Sequence, residues 1–221
     1  PGAFIDYAEV TGLAIPMTVS LMEQVRNDLG ELCKTMPDLK ISINLFEGHF
    51  RDGGIVEDVQ AIFGGSSISY RQLVFEITER RPLANSLATT GVISGLHALG
   101  AKLAMDDAGT GHSNLAYLAT LGVDVIKIDR IFVDMIKPGT TQVPVLDGLI
   151  AMAKDLDCEI VAEGVETEAQ ALYLRSRGVV QAQGYIFAPA LRVAAFKELA
   201  MALHMATQPA PQLAIPTASA A

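Results

Sequence analysis

The sequence predicts an α/β fold built as a β/α barrel, with a mainly parallel sheet covered by helices. Three observations carry that reading. Short apolar stretches alternate with helical patterns at least five times. Each strand pattern has one apolar parity set and a second set that ends in a polar residue. No Gly-x-Gly-x-x-Gly turn follows an early strand, which counts against an open dinucleotide-binding sheet.

The elements follow from local chemistry. Residues 4–10 read as a short helix closed by Gly12. Residues 15–36 carry Met17, Leu21, Val25, Leu29 and Leu32 at helical spacing, with Pro16 in the first turn. Residues 40–45 alternate and read as a strand. A helix over 55–63 stops at Gly64-Gly65, and 73–78 is the second strand. The helix over 83–99 ends at Gly100, a residue suited to a left-handed C-terminal cap. The third strand, 102–106, leads to a short helix over 113–121, and 123–129 is the fourth strand. A helix over 143–156, a strand over 159–163 and a helix over 167–177 come next. The sixth strand is expected over 180–187, and the last helix over 193–204. The expected domain covers residues 1–205, and residues 206–221, rich in Ala and Pro, are expected to be disordered.

Half of the 221 residues are hydrophobic, enough for one large core. Net charge is −9, and no basic run supplies phosphate contacts, so DNA and RNA polymers are excluded as partners. No stretch is long and apolar enough to span a membrane. Cys33 and Cys158 show no metal-ligand spacing, which points to a reducing, cytoplasmic setting. His49, His97, His112 and His204 do not cluster and read as surface or packing residues.

The polar parity set carries the chemistry. Asn44, Glu76, Asp106, Lys127, Glu163 and Gln183 each fall toward the C-terminal end of a predicted strand. That end holds the active site in β/α barrels. Asp107 sits beside Asp106, and two adjacent carboxylates at the end of a buried strand repel each other. A divalent cation relieves that repulsion, and capping of the next helix is the alternative. Taken singly, Glu76 and Lys127 could also form a structural ion pair, and Glu163 could cap a helix. Six such coincidences on one rim are a poor explanation. Three acids, an asparagine and a further aspartate suit oxygen-coordinated Mg²⁺ or Mn²⁺ better than zinc.

Five ordered segments extend the reading. They are Phe75-Glu76-Ile77-Thr78-Glu79, Asp106-Asp107-Ala108-Gly109-Thr110-Gly111, Lys127-Ile128-Asp129-Arg130, Glu163-Gly164-Val165-Glu166-Thr167 and Gln183-Gly184-Tyr185. In this order they resemble the EAL domain, the cyclic di-GMP phosphodiesterase of bacterial second-messenger signalling. The resemblance covers about residues 1–200. It implies a modified TIM barrel, of which six of the eight strands are visible here. It also implies two ions, Mg²⁺ or Mn²⁺. Asn44, Glu76 and Asp106 would hold the first, and Asp107 the second with Asp106 between them. Lys127 and Glu163 would orient and deprotonate the attacking water, with Gln183 in the same network. Glu79 would hold the loop after Asp106. The implied reaction opens cyclic di-GMP to 5′-pGpG, and the implied assembly is a homodimer.

Two departures from the family pattern stand out. Ala108 replaces the usual Phe, and His112-Ser113-Asn114 replaces Tyr-Ser-Ser. The Glu-Ala-Leu segment and two strands are expected upstream of Pro1, so this chain alone is expected to fold and hydrolyse poorly. The competing expectation is a non-catalytic receptor that binds cyclic di-GMP and signals through a partner. Retention of all the metal-binding positions listed above argues for the enzyme.

Overall fold

In the computed structural model, the described residues are 4–51, 53–78, 83, 86–110 and 121–207. They fall into two units, residues 1–190 and 191–221.

The first unit holds a six-stranded parallel sheet in sequence order: β1 (Ile41–Asn44), β2 (Leu73–Thr78), β3 (Lys102–Ala108), β4 (Val125–Ile128), β5 (Glu159–Ala162) and β6 (Gln181–Ala182). Right-handed crossovers through helices are the usual way to connect parallel strands in that order. The described α-helices of this unit are α1 (Ile5–Val10), α2 (Ala14–Thr35), α3 (Gly54–Phe63), α4 (Leu87–Leu99), α5 (Arg130–Val133), α6 (Pro144–Asp155) and α7 (Glu168–Ser176).

The predicted parity holds. Ile43, Phe75, Leu103, Met105, Ile126, Ile128 and Ala162 belong to one buried core with Val59, Leu96, Leu146 and Leu174 from the helices. On the opposite face Val74, Ala104 and Val125 form a separate buried cluster, with Val161 packed against it. Two residues further along those four strands stand Glu76, Asp106, Lys127 and Glu163. An apolar layer thus lies beneath a polar one, as in barrels filled by successive tiers of side chains.

The register produces the stagger that a barrel needs. Asn44 pairs with Glu76, and Met105 with Ile126, but Glu76 pairs with Ala104 and Lys127 with Val161. The polar tier therefore steps by two residues at the β2–β3 and β4–β5 junctions.

Two expectations need correction. The fourth helix starts at Leu87, not at residue 83, because the Ser86 hydroxyl caps it, accepting from the Thr89 N–H at 3.1 Å. The sixth strand is only Gln181–Ala182. Gly184 (φ 153°) turns the chain there, and the Phe187 N–H closes back on the Gly184 carbonyl at 3.1 Å. Of the two readings of His49, surface or packing, the structure gives packing: it is 3% exposed within a 3-10 helix, Glu47–Phe50. The helix expected over 113–121 lies outside the described residues, save Leu121.

The second unit contains α8 (Val193–Thr207), in which Ala200 is the buried position. Among the described residues, no helix is long and apolar enough to cross a membrane.

His49 generates a test. Its Nδ1 accepts from the Phe46 N–H at 3.0 Å, and its Nε2 has no hydrogen-bond partner among the described residues. Burial pushes the imidazole below its ordinary value, against opposing effects from the Phe46 backbone and Asp58. The unfolded chain therefore binds the extra proton first. The stability from neutral His49 is complete above pH about 6.5 and is lost as pH falls toward the folded value. Denaturant melts across this range should show wild type losing stability on acidification, with the slope reduced in His49→Phe. Parallel slopes would refute the assignment.

Candidate active site

Lys127 is the centre of the polar tier. Its ammonium lies 2.9 Å from Glu76 Oε2, 2.9 Å from Asp106 Oδ1 and 2.6 Å from Glu163 Oε1. The Lys127 and Glu76 side chains are 8% and 6% exposed. Each comes from a different strand, and the parity of β4 directs Lys127 onto the face that carries the acids. Burial alone would lower the lysine. The hydrogen bond to Glu163 and the charges of Glu76 and Asp106 outweigh it, holding the ammonium above the ordinary lysine range. Lys127 is a permanent cation and hydrogen-bond donor here. Burial pushes the Glu163 carboxyl up, Lys127 pulls it down, and Asp106 and Glu76 add to the upward push. The net shift is upward.

Strict alternation would send Asp106 and Asp107 to opposite faces of β3. A bulge prevents this. Met105 pairs with Ile126 and Ala108 with Ile128, so three steps along β3 match two along β4. The extra residue falls in the Asp106–Asp107 pair, and Asp107 adopts a left-handed conformation at φ 55°. Aspartate tolerates that region better than most residues. The result is that Asp106, Asp107 and Glu163 bring ligand oxygens within 4.8 Å of one another. All three are partly accessible.

Gln183 donates from Nε2 to Glu163 Oε1 at 2.6 Å. Its own backbone N–H bonds the Ala162 carbonyl at 2.8 Å, so β5 positions both ends of this contact. Asn44 lies in register beside Glu76, on the same face of the sheet, and is exposed. The structure thus brings Glu76, Asp106, Lys127, Glu163 and Gln183 into direct contact, Asp107 alongside them, and Asn44 onto the same tier. Glu79 and His112 lie outside the described residues.

The donor set can be tested against a divalent ion by its charge and chemistry. Among the described residues, Glu76, Asp106 and Glu163 are three formal anions on the one ammonium of Lys127, and Asp107 lies beside Asp106 and Glu163. Every donor is an oxygen, the set preferred by Mg²⁺, Mn²⁺ and Ca²⁺. The residues fit such an ion.

Sequence reasoning missed two supports. One is Arg130, which pairs with Glu166 at 2.8 Å and Asp134 at 3.0 Å. The other is Gln170, 5% exposed, whose Oε1 accepts from the Glu166 and Thr167 N–H groups at 2.8 and 2.9 Å. The Thr167-x-x-Gln170 spacing is a capping box and could have revealed the second.

A parallel β/α sheet with an acidic, oxygen-donor site at its C-terminal rim defines the TIM-like class of barrel with its site at the strand ends. Comparison with known proteins specifies which. The model of the EAL domain family matches residues 1–190, and the chain belongs to that family. The probable cyclic di-GMP phosphodiesterase PdeN of Escherichia coli K12 is 41% identical over 186 residues, covering 84% of this chain and 36% of PdeN. The solved PaMucR phosphodiesterase, in complex with c-di-GMP, superposes with a TM-score of 0.79 at 29% identity, over 89% of this chain and 80% of that one. BlrP1 of Klebsiella pneumoniae, solved with manganese and cyclic di-GMP, gives a TM-score of 0.66 at 26% identity, over 79% and 44%. The chain spans 35–37% of the length of four of its curated relatives.

The cluster predicts a large stability effect. Lys127→Met leaves three carboxylates around a buried methylene chain, and should destabilise the fold by about 3–5 kcal/mol. Urea denaturation of the full-length protein measures it. A loss below about 1 kcal/mol, the scale of an exposed pair, would show that the cluster is not coupled as described.

Proposed function

We propose that this chain forms the catalytic part of a metal-dependent phosphodiesterase that hydrolyses cyclic di-GMP to linear 5′-pGpG. The observation that carries this is the convergence of Glu76, Asp106 and Glu163 on Lys127 at the sheet's C-terminal rim, with Asp107 turned to the same side by a bulge. The names of the relatives supply the substrate class, and the BlrP1 complex supports a divalent ion.

Asn44, Glu76 and Asp106 would hold one Mg²⁺ or Mn²⁺, and Asp106 with Asp107 a second. Bound ions would lower the pKa of a water and neutralise charge on the phosphate. Lys127 keeps its proton, so its part is to orient: it fixes Glu76, Asp106 and Glu163 by hydrogen bonds. Glu163, with its raised carboxyl, is the group suited to take the water's proton. The water oxygen bonds to phosphorus, the bond from phosphorus to the 3′ oxygen breaks, that oxygen takes a proton from solvent, and Glu163 returns the water's proton to solvent. Gln183 holds Glu163 at 2.6 Å and so fixes the direction of proton transfer. Glu79 is proposed to support the loop after Asp106.

A cytoplasmic setting and homodimerisation complete the proposal. Sedimentation of the full-length protein tests the second.

Hydrolysis assays on the full-length protein test the function. Wild type should release pGpG with Mg²⁺ or Mn²⁺ and lose activity with chelator. Glu163→Gln should cut turnover roughly 10²–10⁴-fold, the scale of a lost general base. Mn²⁺ should raise the melting temperature of wild type but not of Asp106→Asn. Nucleotide binding without pGpG formation, together with indifference to Glu76→Ala, would replace the enzyme by a receptor.

A further inference from the structure

The loop that carries Glu163 is held from outside the catalytic cluster. Residues 163–166 leave β5 in a left-handed turn at Gly164 (φ 66°). The aliphatic stem of Arg130 lies directly against that turn. A Cβ on Gly164 would stand 2.5–2.8 Å from Arg130 Cγ, Cβ and Cδ, closer than atoms can pack. Beyond the stem, the guanidinium reaches Glu166 at 2.8 Å and is braced by Asp134, one helical turn along α5, at 3.0 Å. Arg130 therefore grips the loop at two points, one on either side of Val165.

A second tie runs parallel to the first. Gln170 on α7 accepts from the Glu166 N–H at 2.8 Å and donates to the Val133 carbonyl on α5 at 3.3 Å. Both ties end on α5, and α5 begins three residues after Lys127. The far side of the loop is equally close-packed. The Val165 N–H bonds the Gln183 carbonyl at 3.0 Å, and a Cβ on Gly184 would meet the Val165 backbone at 2.2–2.7 Å. Lys127, Glu163 and Gln183 thus extend from backbones tied to one another through residues that do not enter the cluster.

We propose that Arg130 is a positioning residue for the reaction assigned above: its clamp on Gly164 and Glu166 sets the Glu163 carboxylate against Lys127 and the paired aspartates. This rests on the phosphodiesterase reading for its catalytic consequence, but the clamp itself is testable without it. Arg130 is about half exposed, so replacing it leaves the buried core intact. Loss of the clamp allows Glu163 to sample orientations away from its partner oxygens. Misplacement on the ångström scale lowers turnover without weakening ground-state binding.

The test uses the full-length protein and the variants Arg130→Gln, Arg130→Lys and Glu166→Gln. Arg130→Gln should lower kcat roughly tenfold with KM within about twofold of wild type. Arg130→Lys, which keeps the stem and the charge, should recover most of that loss. Arg130→Gln combined with Glu166→Gln should be no slower than Arg130→Gln alone, because both remove the same tie. Hydrogen exchange at the Val165 and Glu166 amides should accelerate in Arg130→Gln, while the β4 amides stay protected. An active wild type with unchanged kcat in Arg130→Gln overturns the proposal and leaves the phosphodiesterase reading standing. An inactive wild type overturns that reading and the catalytic role with it; exchange then decides the clamp alone. Unchanged exchange overturns the clamp in either case.

Discussion

The site depends on one buried ammonium. Lys127 is linked to Glu76, Asp106 and Glu163, which reach it from three other strands. A charge placed there without partners would be strongly disfavoured by desolvation. Three carboxylates placed there without the lysine would repel one another. Each side of the arrangement makes the other tolerable, and the result fixes the relative positions of β2, β3, β4 and β5 at their C-terminal ends. Beneath it, Val74, Ala104 and Val125 keep the lower tier dry. That dry floor raises the electrostatic stakes of the cluster above it.

The bulge in β3 solves a geometric problem that alternation creates. A strand offers one face every second residue, so two consecutive acids cannot both serve one site in regular pleat. One extra residue in β3, and a left-handed Asp107, remove the conflict at the cost of local backbone strain. The strain sits where a metal-binding function would use it. Arg130 and Gln170 perform a comparable task at Glu163, holding a non-regular turn in one conformation.

Much of this was legible in the residues. Parity assigned Glu76, Asp106, Lys127 and Glu163 to a single face, because period-two alternation survives in every strand long enough to show it. The stagger of that tier was not legible, since register depends on pairing between strands. The bulge was hidden for the same reason: Asp106-Asp107 reads identically with or without an extra residue in the ladder. The sixth strand was overextended because Val180, Ala182 and Ile186 mimic strand spacing, while Gly184 turns the chain to meet Val165. Whether His49 lay on the surface or in the packing stayed open, because nothing in this short segment announces that a 3-10 turn will bury its ring. The family motifs carried the functional reading further than parity could, and they did so without reference to geometry.

Ion pairs alone do not mark this site, because the opposite end of the sheet has them too. There Lys102 pairs with Glu159, and His97 Nε2 meets Asp124 Oδ2 at 2.9 Å. Asp124 also accepts from the Leu103 N–H at 2.8 Å, which makes it a brace between the α4–β3 and β3–β4 connections. In each of those pairs one acid meets one basic side chain and the contact is partly open to solvent. At the C-terminal end three acids, Glu76, Asp106 and Glu163, share one lysine among the described residues, and that surplus of negative charge is partly buried. A structural network gains nothing from such a surplus, since each uncompensated carboxylate weakens the fold. A site that must attract and hold a divalent cation requires it. The imbalance of charge, not the presence of hydrogen-bonded ions, is what separates the working end of this sheet from its supporting end.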